Sequence, residues 1–147
     1  MLKYDIYISA PLFNEMERAF NEKVDEFVRT AGFSTYLPQR DGGEDELLLQ
    51  NPEMWPETSR RVFQRDVLSL KNSKILLMLM DGRVPDEGAC VELGMAYALG
   101  KICIGFKTDT RSFATGQNNL MLDYSFSYEI IRTWDGLKDL LLKIKQH

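Results

Sequence analysis

Histidine is almost missing from this sequence: the single one, His147, is the last of 147 residues. A Ser-His or Cys-His nucleophile pair is thereby excluded from the folded body, and a zinc centre loses its commonest nitrogen ligand. Acid and base work must fall to carboxylates or tyrosine. Cysteine is nearly as scarce. Cys90 and Cys103 sit in apolar surroundings without CxxC spacing, so two buried thiols are expected rather than a disulfide or a metal site. Neither GxGxxG nor GxxxxGK(S/T) occurs, which removes the standard dinucleotide and P-loop phosphate cradles. There is no basic run, and a net charge of -4 argues against a nucleic-acid surface or a polyanionic substrate. No apolar run reaches the roughly 18 residues of a membrane span, and no basic-then-apolar leader opens the chain, so a cytoplasmic protein is expected.

What is present reads as one domain without repeats or low-complexity tracts. Tyr4 to Ala10 alternates β-branched and aromatic residues as a strand does. Helix one is expected from Glu15 to Ala31, capped by Asn14, with Met16, Ala19, Phe20, Val24, Phe27 and Val28 on its buried stripe. Phe33 to Leu37 reads as a second strand, and the β-α-β opening requires a right-handed crossover and a parallel pair. Residues 39–57 form a polar connection, either a mobile lid or a solvated insertion. A helix follows over Thr58 to Ser69, with Val62, Phe63, Val67, Leu68 and Leu70 as core positions. Lys74 to Met80 and Lys101 to Phe106 are strands three and four, and Tyr128 to Ile131 is a short fifth. A last helix, capped by Asp135, runs through Leu137, Leu140, Leu141 and Ile144. This alternation predicts an α/β fold: a flavodoxin-like or Rossmann-like three-layer sandwich on a five-stranded, mostly parallel sheet.

The stretch DGRVPDEGACVELGMAYALG, residues 81–100, is the centre of the functional reading. It follows the most apolar run of the chain, supplies a loop with Gly82, Pro85 and Gly88, and then a helix stopped by Gly100. Strand, loop and helix N-terminus in that order are where open α/β sheets bind ligands. Glu92 is out of place in this helix. It shares a stripe with Gly88, Met95, Ala96 and Leu99, and its neighbours on the next stripe are Ala89, Cys90, Leu93 and Tyr97. Near the first turn, unpaired backbone N–H groups would keep such a carboxylate ionised although partly desolvated, which suits a nucleophile. The plain alternative is a Glu that complements the helix dipole or pairs with Arg83 or Lys101. Asp66 and Asp86 can converge on the same strand ends. Two or three carboxylates around one pocket are equipment for chemistry at an anomeric carbon, and crowding like charges raises the pKa of one of them. Tyr7 could orient the nucleophile, or be a half-buried strand aromatic. Asn118 and Asn119 could equally be turn formers.

Taken together, YISAPLF (7–13), LPQRDG (37–42), the helix containing Asp66, DGRVPDEGACVELGMAYALGK (81–101) and NNLM (118–121) resemble the nucleoside 2-deoxyribosyltransferase family. The DxGxxxELGxAxALGK pattern is the specific part, and the likeness covers most of the chain in order. It implies that Glu92 attacks C1′ of a 2′-deoxynucleoside, that Asp66 relays a proton to the base, and that Tyr7 holds Glu92. It further implies that Asp86 binds near the sugar, that Gln39 contacts the base, and that Asn119, followed by Met121, reaches a neighbouring subunit's sugar site. Phe13 and Gly88 join the substrate-binding set. The resemblance calls for no metal or organic cofactor. The partners are a 2′-deoxynucleoside, a free purine or pyrimidine base, and further copies of the chain in a dimer-based homo-oligomer, with a hexamer as one form. Some members end in an aromatic that folds into the pocket, whereas this chain ends Lys145, Gln146, His147. Competing readings are a 2′-deoxynucleoside 5′-monophosphate N-glycosidase and a non-catalytic nucleotide-binding module.

Overall fold

The computed structural model describes residues 3–42, 53, 55–112 and 117–146. Four strands, β1 (Tyr4–Ser9), β2 (Thr35–Tyr36), β3 (Ser73–Leu79) and β4 (Ile102–Phe106), form an all-parallel sheet in the order β2-β1-β3-β4. The helices are α1 (Glu15–Thr30), α2 (Pro38–Asp41), α3 (Trp55–Lys71), α4 (Glu87–Ala98), α5 (Leu120–Asp123) and α6 (Trp134–Lys145). From β3 onward the strands are almost wholly buried, as a parallel sheet covered on both faces requires.

The strand period of two sorts the core into two clusters. Ile6, Ile8, Ile75, Leu77, Leu79, Ile104 and Phe106 face α1 and α6, where Val24, Val28, Leu137 and Leu141 meet them. Tyr7, Tyr36, Leu76, Met78 and Cys103 face the other way, against Leu70 of α3 and Ala89, Leu93 and Ala96 of α4. Three layers result. The chain leaves β1 for β2 on one side and returns to β3 on the other, so the C-terminal ends of β1 and β3 flank the crevice where such sheets take ligands.

The expected fifth strand is not one. Ser127 bonds Cys103 just before the segment and Ile131 bridges Phe106, but the residues between leave the ladder, so 128–131 joins β4 through Ile131 alone. The long helix begins at Trp55 rather than Thr58, and Thr133, not Asp135, caps α6 by accepting from the Gly136 N–H. Asn14 caps α1 as expected, accepting from the Glu17 N–H at 2.9 Å. The buried side of α1 carries Val24 and Val28 as predicted, with Phe20 and Phe27 packed against the core, but it differs at its edges. Met16 is 84% exposed, while Asn21 and Asp25 are buried. Both polar residues are tolerated because they have partners: Asn21 donates to Gln39 and the Pro11 carbonyl, and Asp25 accepts from Thr35 and Arg40. The possible lid falls mostly on residues 43–52 and 54, outside the described residues.

At the C-terminal edge of the sheet the turns after β3 and β4 are tied together. Lys107 is buried, and its Nζ donates to the carbonyls of Gly82 at 2.9 Å and Met80 at 3.4 Å. In return Asp109 accepts the Gly82 N–H and Asp81 accepts the Thr108 N–H. Gly82 has φ +123°, a conformation that favours glycine. Among the described residues, no helix is long and apolar enough to cross a membrane.

Candidate active site

Asp86 starts α4 as its N-cap, its Oδ2 accepting the Ala89 N–H at 2.8 Å. Glu92 lies in the second turn, on the side facing β1. Both of its oxygens are held by hydroxyls from one strand. Tyr7 Oη donates to Oε1 at 2.8 Å and Ser9 Oγ donates to Oε2 at 2.5 Å. Tyr7 and Ser9 are two apart on β1, hence on the same face, and both are fully buried. Burial pushes the Glu92 carboxyl from its ordinary 4.5 up to about 7, the bonds from Ser9 and Tyr7 oppose that rise, and the charges of Asp66 and Asp86 add to it. The expectation that helix N-terminal N–H groups would keep Glu92 ionised is therefore corrected. It stands beyond the first turn, where the dipole has faded, and desolvation dominates. One acid of the group does have a raised pKa, but burial is the main cause and crowding a lesser one, and the raised group is the expected nucleophile rather than the acid that serves the leaving base. The alternative pairing with Lys101 does not form, because the Lys101 amine donates to the carbonyls of Lys71 and Ser73.

Asp66, on α3, shares a cleft of about 230 Å³ with Glu92 and Gly88. The cleft walls are apolar, formed by Phe63 and Val67 of α3 and by Val91 and Met95 of α4. Phe63 was expected in the core; its 57% exposure comes with lining this opening. Asp66 Oδ1 accepts from Tyr36 Oη at 2.8 Å, and Tyr36 Oη accepts in turn from Arg65 Nε at 3.3 Å. The rings of Tyr7 and Tyr36 stack at 5.3 Å with planes 20° apart. Each acid thus has its own tyrosine, and the two tyrosines brace each other across adjacent strands. Burial pushes the Tyr36 hydroxyl up to about 12 and raises that of Tyr7 further, so both remain protonated donors.

Glu92, Asp66, Tyr7 and Gly88 come together, with Asp86 close enough for its charge to act on Glu92. Other expected residues lie elsewhere. Gln39 turns toward α1, where its Oε1 accepts from Asn21 at 2.9 Å and its Nε2 donates to the Arg18 carbonyl at 3.0 Å. Phe13 is 77% exposed. Asn119 caps α5, accepting the Met121 N–H at 2.8 Å, as the turn-forming alternative has it. Asn119 and Met121 border a second, larger groove of about 830 Å³ on the far side of α4, lined there by Cys90, Leu93 and Gly94. Cys103 is buried as expected, but Cys90 is only half-buried at that groove. Among the described residues, no cluster of three or more His, Cys, Asp or Glu is placed to share a metal ion.

Ser9, Tyr36, Arg65 and Phe63 are site residues that the sequence did not disclose. Only Ser9 left a trace, as a small hydroxyl in an otherwise apolar strand, in phase with Tyr7.

The fold has solved counterparts. A 2-deoxyribosyltransferase from the psychrotolerant bacterium Bacillus psychrosaccharolyticus superposes with a TM-score of 0.73 at 23% identity, over 92% of this chain and 90% of that one. A 2-deoxyribosyltransferase from Leishmania mexicana gives 0.68 at 19% identity, over 95% and 97%. A CMP N-glycosidase from Clostridium botulinum gives 0.56 at 17% identity, over 97% and 98%. At these identities the likeness is one of fold. No curated protein sequence matches the chain. The family profile described as nucleoside 2-deoxyribosyltransferase, however, matches residues 6–130, a span that holds Tyr7, Ser9, Tyr36, Asp66, Asp86 and Glu92. By that match, the chain belongs to the nucleoside 2-deoxyribosyltransferase family.

Proposed function

We propose that this protein exchanges the base of a 2′-deoxynucleoside through a covalent deoxyribosyl-Glu92 intermediate. The observation that carries the reading is a desolvated carboxylate with both oxygens held by Tyr7 and Ser9, facing a second carboxylate across an apolar cleft. In the first step a Glu92 oxygen bonds to C1′ while the C1′–N bond breaks. The bonding pair moves onto the base, and Asp66 supplies a proton to the departing ring nitrogen. An incoming base then attacks C1′ from the face the first base left: its new C1′–N bond forms as the C1′–O bond to Glu92 breaks, freeing the carboxylate, and its N–H proton passes to Asp66. Two displacements give net retention. The apolar walls, Phe63 and Val67 opposite Val91 and Met95, suit the flat face of a base and keep water from the intermediate, which favours transfer over hydrolysis.

Asp86, at the mouth of α4, serves the sugar hydroxyls, with Gly88 leaving room beside it. Asn119 and Met121, turned away from the chain's own cleft, act in a neighbouring subunit's site, which makes the working form a homo-oligomer. Gln39 reaches a base only by exchanging its bonds to Asn21 and Arg18.

A second reading is hydrolysis of a nucleoside 5′-monophosphate, favoured by the fold shared with the CMP N-glycosidase. Asp86 weighs against it, because a carboxylate there repels a phosphate dianion. The test is incubation with a 2′-deoxynucleoside alone, followed by mass analysis of the peptide containing Glu92. An added deoxyribosyl group is expected, together with faster turnover when a second base is supplied. Absence of the adduct, with monophosphates consumed instead and no response to added base, overturns the proposal.

A further inference from the structure

Tyr36 does not itself line the cleft, yet it bonds a residue that does, Asp66, and its hydroxyl also meets a cation. Arg65 Nε can only donate, so its bond to Tyr36 Oη, at 3.3 Å, leaves the single phenolic hydrogen for Asp66 Oδ1, at 2.8 Å. The chain Arg65 to Tyr36 to Asp66 therefore runs in one direction. The tyrosine ring is fixed by its neighbours, stacked on Tyr7 at 5.3 Å and edge-on to Tyr4 at 5.4 Å, and the residue is 2% exposed. The charged and titratable groups facing its hydroxyl are Arg65 and Asp66 from α3 and Tyr7 from β1.

We infer that Tyr36 is a positioning residue for proton transfer: by holding Asp66 Oδ1 as an acceptor, it puts the transferable proton on Oδ2 and steadies the carboxylate that forms when the proton leaves. This rests on the transferase reading above. In the step it serves, the Asp66 Oδ2–H bond breaks and a new N–H bond forms on the base as the C1′–N pair moves to that nitrogen. Negative charge appears on Asp66, and the Tyr36 hydrogen bond strengthens as it does so, since a bond to an ion is stronger than one to a neutral acid. Arg65 assists both through the tyrosine and directly, its Nε lying 3.9 Å from Asp66 Oδ1.

The role has a signature that simple support of the fold lacks, because it matters only when the leaving base needs a proton. In Tyr36→Phe the ring and its stacking remain while the hydroxyl goes. The experiment compares formation of the deoxyribosyl adduct from a purine 2′-deoxynucleoside with that from its N7-methylated form, whose cationic base leaves without protonation. The unmethylated substrate should slow by about 10- to 100-fold with little change in KM, and the methylated one by no more than about twofold. Arg65→Met should show the same split, smaller, and serves if Tyr36→Phe folds poorly. Asp66→Asn should show it in full. Equal losses on both substrates, or no loss on either, overturn the role of Tyr36 while the wild type still forms the adduct. A wild type that forms no adduct from either substrate overturns the transferase reading, and this inference with it.

Discussion

Helix α4 separates two cavities that differ in every respect that matters for chemistry. On one side is a groove of about 830 Å³, lined by Cys90, Leu93 and Gly94 and by the segment from Gln117 to Ser125. On the other is a cleft of about 230 Å³ holding Glu92 and Asp66. Size alone points to the groove. Chemistry points to the cleft, because there Glu92 is desolvated and both acids are oriented by buried hydroxyls, whereas the groove brings together no pair of acids, its polar lining being Arg83, Cys90, Gln117, Asn118, Asn119 and Ser125. A reactive group needs its charge made costly and its geometry fixed, and volume supplies neither.

The contrast breaks most sharply by removing a side chain from each wall. Glu92→Ala should lower base exchange by on the order of a thousandfold or more and abolish the adduct, since no nucleophile remains, while Cys90→Ala should keep turnover within about twofold. Steady-state rates of the two variants decide it. If Cys90→Ala is the worse of the two, the cleft is not the active site.

Next in size is a stability effect. The folded Glu92 carboxyl, at about 7, lies above its ordinary 4.5, so its contribution favours the fold below pH 4.5 and is lost as pH rises through about 7. Glu92→Gln should therefore be more stable than wild type at pH 8 to 9, by on the order of 3 kcal/mol at most, and the gap should close toward pH 4.5. Denaturant melts at several pH values measure it.

The same raised pKa sets an acid limb on kcat/KM, which should fall about tenfold per pH unit well below pH 7 as Glu92 takes up a proton. Ser9→Ala removes a bond that favours the ionised form, so the limb should move to higher pH by on the order of one unit. An unmoved limb would assign it to another group.

The smallest effect compares two glycines on α4. A Cβ at Gly94 meets nothing within 4 Å, whereas one at Gly88 comes to 3.1 Å from Asp86 Oδ2. Gly94→Ala should raise stability by about 0.5 to 1 kcal/mol through helix propensity, and Gly88→Ala should gain less and lose substrate affinity. Thermal melts together with KM values separate the two.

How far the sequence discloses this follows from which forces act locally. Glu92 stood out because a charge within a small, apolar helix has no local purpose. The strand alternation of YDIYIS and the Asn14 cap are likewise decided within a few residues, and both appear where expected. Tyr36 and Ser9 were hidden, since each is ordinary for a strand and gains meaning only from a helix far away in sequence. Asn21 and Asp25 join the buried side of α1 unannounced because their partners, Gln39, Thr35 and Arg40, come from beyond that helix. The fifth strand failed for the same reason: residues 128–131 have the composition for pairing, but their path past β4 lets only Ile131 bond.

Lys107 works as a rivet between two hinges. Because its amine fastens the turn that leads to Asp86 and Glu92 to the turn that begins the path toward Asn119, neither can swing out alone. A substrate that pries at one edge of the mouth must also load the other, and the edge carrying Asn119 belongs, on the proposal above, to the next subunit's pocket.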